Sequence, residues 1–165
     1  MARKAFATIT VMFMLAMTAL VASADSPRFS NVVSSLDSDG NLLVSFRETG
    51  LGNTPDPVQY LVEGTASVTY ACINGGGNHP KASNKQTTNS PISQGAEFVP
   101  DNGNVEETIT VDVPGAGSFS CPNGQRLELV CVTYSGMTLT DTDHDVSTGV
   151  PGASYLDPVF GQFCP

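Results

Sequence analysis

Residues 58–72, "VQYLVEGTASVTYAC", keep a two-residue rhythm that few folds can accommodate. Val58, Tyr60, Val62, Ala66, Val68, Tyr70 and Cys72 share one parity, and the other is mostly polar, with Gln59, Glu63, Thr65, Ser67 and Thr69. Side chains leave a strand alternately to its two faces, so the run has one buried face and one wet face. Gly64 stands within the apolar series. It predicts a bulge or bend that divides the run into two strands.

The alternation recurs along the chain. In "NLLVSFRE" Leu42, Val44 and Phe46 share a parity, introduced by "DSDG" at 37–40, which reads as a hairpin turn. In "EETITVDVPG" Glu107, Ile109, Val111 and Val113 alternate with Thr108, Thr110 and Asp112. "RLELVCVTYSGMTLT" is apolar on both parities in part, which predicts a central strand and, after Gly136, an edge strand carrying Met137 and Leu139. Residues 29–36 and 92–99 are weaker strands, and the chain from about Gly149 reads as coil. No window carries apolar residues at the three- and four-residue spacing of a helix face. About seven short antiparallel strands predict an all-β, immunoglobulin-like β-sandwich, with a small β-barrel as the alternative. The chain has no Trp, so it lacks the Cys…Trp…Cys core of a true immunoglobulin domain.

Arg3 and Lys4 precede an apolar run, and Ala22-Ser23-Ala24 has the small-x-small form that signal peptidase reads. The run is short for a membrane span and has no basic flank after it. Residues 1–24 therefore read as a signal peptide, and 25–165 as a single secreted, extracellular domain. Loss of that leader moves the formal charge from −9 to −11 and leaves Arg28, Arg47, Lys81, Lys85 and Arg126 scattered. Nucleic acid demands a dense cationic stripe, and anionic lipid is disfavoured by the same acidity. We expect a monomer whose ligand lies at the cell surface or beyond it.

Cys72, Cys121, Cys131 and Cys164 are an even set in an exported chain, spaced by 49, 10 and 33 residues. Zinc sites and redox motifs need close thiol pairs, so two disulfides are the expected use. Cys72 with Cys121 and Cys131 with Cys164 is the favoured pairing, the second tying the tail to the sheet. Cys121 with Cys131 across a hairpin remains open.

Two stretches invite chemistry. "CINGGGNHPKASNKQ" resembles a phosphate-binding loop only superficially. Counted from Gly75, Pro80 stands where a glycine belongs and Ala82 where a hydroxyl belongs. It reads as a long inter-strand loop from Asn74 to about Ser90, whose Asn78, His79, Lys81 and Lys85 make it the candidate binding surface. "DTDHD" at 141–145 sets Asp141, Asp143 and Asp145 at alternate positions around His144. It could place three carboxylates on calcium, although it is no EF-hand, or form a solvated acidic turn ending an edge strand. No catalytic residue is assigned, for nothing marks a nucleophile elbow, a zinc-binding helix or one particular carboxylate pair. Without Trp, a flat sugar-stacking platform would fall to Tyr134 and Tyr155, the two tyrosines outside the buried parity.

With "GLGN" at 50–53, "ASVTYACINGGGN" and "FSCPNGQRLELVCVTYSGMTLTDT", residues 29–142 resemble a group of small exported proteins of actinobacteria, related bacteria and fungi. These share the GLGN turn, a strand ending in Cys before an Asn-Gly-Gly loop, and a second Cys before Pro. The resemblance implies Cys72–Cys121 as the basic pair and Cys131–Cys164 as an additional one. The group has no assigned activity, so the resemblance implies no catalytic residue. Three readings follow: a non-enzymatic, disulfide-stabilised binding module, an extracellular hydrolase using acidic residues with His144, and a calcium-stabilised surface protein.

Overall fold

A computed structural model of the chain describes residues 26–74, 84–161 and 164. The signal-peptide reading at 1–24, together with Asn78, His79 and Lys81, lies outside them. The described chain forms β1 (Arg28–Leu36), β2 (Leu42–Thr49), β3 (Val58–Asn74), β4 (Lys85–Phe98), β5 (Asn104–Val111), β6 (Gln125–Asp141), β7 (Val146–Gly149) and β8 (Ala153–Leu156). One sheet runs β1-β2-β5. The other runs β4-β3-β6-β7, with β8 also on β6, and every pairing is antiparallel.

The two sheets form a β-sandwich that is not closed into a barrel. Leu42, Val44 and Phe46 of β2 and Ile109 and Val111 of β5 face Val58, Val62, Ala66 and Val68 of β3 and Val132 and Leu139 of β6. All are buried, as a period of two demands when one face of each sheet is dry. A second, smaller cluster lies on the opposite face of the larger sheet. There Ala71, Ile73, Val130 and Cys131 are covered by Phe160 and Cys164 of the tail, with Arg126 stacked 5.9 Å from the Phe160 ring.

Several sequence expectations change. Gly64 does not split its run, because β3 continues unbroken from Val58 to Asn74. The extra residue lies across the ladder in β6, where the register slips between Glu63↔Thr138 and Thr65↔Ser135 and Gly136 takes φ +59°. Gly64 supplies the space instead: a β-carbon there would stand 2.2 Å from Met137 Sδ. Met137 and Leu139 consequently belong to a central strand, not an edge. The segment after Gly149 is not simple coil either, for β8 pairs Ala153–Leu156 with Tyr134–Cys131. The loop after β3 is shorter than expected, because Lys85 already pairs with Ala71 and opens β4.

The turn at 37–40 is the expected hairpin. Asp37 Oδ1 accepts the N–H groups of Asp39 and Asn41, both at 2.9 Å. The GLGN turn buries Leu51, whose N–H donates to Gly103 O at 3.1 Å, while Gly50 and Gly52 take φ +84° and +71°. Side chains rarely tolerate that backbone, which is the physical reason for glycine on both sides of the leucine.

Disulfides join Cys72 to Cys121 and Cys131 to Cys164, with Cα–Cα distances of 5.4 and 6.0 Å. The Cys121–Cys131 alternative is not formed. Among the described residues no helix is long and apolar enough to cross a membrane.

Candidate functional site

The inward phase of two strands ends on acids. In β2 the series Leu42, Val44, Phe46 continues to Glu48, and in β6 the series Met137, Leu139 continues to Asp141. Both carboxyl groups are fully shielded from solvent, at 0% exposure. They come from opposite sheets and meet at one end of the sandwich.

Each acid is served differently. Asp141 Oδ1 accepts the N–H of Asp143 at 2.9 Å and of His144 at 3.1 Å. Its Oδ2 lies 2.6 Å from His144 Nδ1, so the ring donates from that nitrogen and Nε2 is left for other partners. Glu48 Oε2 accepts the hydroxyl of Tyr60 at 2.8 Å, but Glu48 Oε1 is buried with no donor. Burial is the main cause that raises the Glu48 carboxyl to about 7, opposed by the Tyr60 hydrogen bond and reinforced by the charge of Asp141. Burial also raises the Tyr60 hydroxyl, with Glu48 adding to the effect.

His144 is half-buried and lines an open cleft of about 450 Å³ with Leu51, Thr54, Asp56 and Asp143. The cleft mouth is acidic, and one of its acids is structurally occupied: Asp143 Oδ2 accepts the N–H of Gln59 at 2.8 Å. Two smaller hollows, of about 330 and 380 Å³, lie on the smaller sheet and share Arg47 and Glu106.

The residues singled out in the sequence therefore separate. Asp141 is not solvated but is a buried acceptor for the 142–145 turn, and Asp143 caps β3. Asp145 is exposed, with φ +57°. Among the described residues no group of three or more His, Cys, Asp or Glu side chains is placed to hold a metal ion. Lys85 sits in the β4 ladder, away from this turn. Tyr134 is not an exposed ring, for it is buried and donates to Gly40 O at 3.0 Å. Burial raises its hydroxyl to about 12. Glu48 and Tyr60 were missed as site residues. The signal for them was present: an acid on the apolar parity of one strand, and a tyrosine hydroxyl on that of another.

The arrangement can hold a proton out of water, and it can fix the orientation of one imidazole at the edge of a cleft. No protein-family model, curated protein or solved structure matches the chain.

Proposed function

We propose that this protein is exported and acts outside the cell as a disulfide-stabilised interaction module for a surface or extracellular ligand, without catalysis of its own. The observation that carries the reading is the Cys72–Cys121 bridge. It fastens the end of β3, just before the loop to β4, to the stretch that enters β6. A covalent clamp at that position supports a fixed platform for a recognition loop. The expected test is retention of the purified protein on cell-envelope fractions or polysaccharides, weakened by Lys81→Glu with Lys85→Glu. Absence of retention on every fraction overturns the reading.

One observation favours a second reading, an extracellular hydrolase. A carboxylate-oriented histidine lines an open cleft, which is the orienting half of an acid–base site. If His144→Ala and Asp143→Ala leave every detectable hydrolytic activity intact, that reading falls.

A further inference from the structure

We propose that Glu48 and Asp141 hold one proton between the two sheets, and that its release in less acidic solution loosens the 142–145 turn that walls the cleft. The geometry assigns the proton. Asp141 already has three partners, two backbone N–H groups on Oδ1 and the His144 ring on Oδ2. Glu48 has a single donor, Tyr60, and a bare, buried Oε1. A neutral Glu48 supplies its own O–H, and the neighbouring acid is Asp141, which pairs across the β3–β6 ladder with Tyr60, the residue whose hydroxyl meets Glu48. That satisfies the orphan atom without water or a metal ion.

The groups facing Glu48 are Tyr60 from β3, Asp141 from the end of β6 and His144 from the following turn. Asp143 stands further out and acts on Tyr60. Loss of the proton sets two anions against each other in a dry space, where their repulsion is poorly screened. Glu48 lies in a strand paired on both sides, to Phe29 and Val105. Asp141 ends its strand beside a surface turn, so the turn is the part free to yield. The sign follows from the raised Glu48 carboxyl. Its ordinary value is 4.5 and its folded value about 7, so stability from this group is complete below 4.5 and is lost as pH rises toward and through 7.

The decisive measurement is hydrogen exchange of the Asp143 and His144 amides at about pH 5 and about pH 8, corrected for intrinsic exchange, in wild type and Glu48→Gln. Gln keeps an acceptor for Tyr60 and offers Asp141 a permanent donor. Wild type should lose protection at least about tenfold at the higher pH, and the variant should not. An equal loss in both, or none in wild type, overturns the proposal. Should the variant fail to fold, a carbon-13 titration of the wild-type Glu48 carboxyl decides the matter. A transition near neutrality that survives His144→Ala supports the proposal. A carboxylate already ionised at about pH 5, or a transition abolished with His144, overturns it.

Discussion

Tyr60 Oη donates to Glu48 Oε2 at 2.8 Å, joining the start of β3 in one sheet to the end of β2 in the other. The Tyr60 ring is held by aromatic neighbours, with centroids 4.9 Å from Phe46 and 5.8 Å from Phe98. The hydroxyl is therefore fixed in place by its ring. Tyr60→Phe should keep the packing and strip Glu48 of its one donor. We expect a loss of about 1–3 kcal/mol where Glu48 is ionised, and a smaller loss in acid where it carries its own proton. Urea denaturation at both conditions reads the difference, and equal losses would show that the hydroxyl does not serve the carboxylate.

Gly64 and Met137 share one space. Gly64→Ala places a β-carbon 2.2 Å from Met137 Sδ and 3.0 Å from Met137 Cα. The expected destabilisation is about 1–3 kcal/mol, because the second contact is backbone and cannot swing away. Met137→Ala in the same chain should recover only part of that. A double-mutant cycle measures the coupling, and strict additivity would disprove the shared space.

Cys131→Ala with Cys164→Ala should release the tail while leaving both sheets intact. The loss should be about 2–4 kcal/mol by denaturant. Cleavage by a protease should move to the residues after β8, since the cover over Ala71, Ile73 and Val130 is gone. Cleavage within the strands instead would mean the bridge holds more than the tail.

Calcium and a chelator test Asp141, Asp143 and Asp145 directly. Asp141 already accepts three hydrogen bonds and Asp143 caps Gln59. We expect no measurable change of Tm with either addition. A rise with calcium would show that the turn rearranges around the ion, since binding to the folded state alone must stabilise it.

The strands were legible because burial on one face writes a period of two into the sequence. Leu42 to Phe46 and Val58 to Val68 follow it without exception save Gly64. β7 and β8 were not legible, because four-residue strands hold too few alternations to stand out and owe their place to a ladder with β6. Tyr134 was misread for a related reason. Its run is apolar in part on both parities, so the alternation does not mark which face is dry. The candidate site was half visible. His144 and Asp141 stand together in the sequence, whereas Glu48 joins them only when the second sheet folds across, a contact no spacing reveals.

The cysteine arrangement also dictates an order of events during oxidation. Cys121 and Cys131 lie 10 residues apart, while the partners found in the structure lie 49 and 33 apart. Chain statistics favour closing the shortest loop, so an oxidant that meets the unfolded chain forms the wrong bridge first. Correct pairing depends on β3 docking beside β6, which brings Cys72 near Cys121 and leaves Cys131 for the tail. Productive maturation of this fold is then a race between strand docking and thiol oxidation, and a thiol–disulfide isomerase is the catalyst that rescues chains losing it.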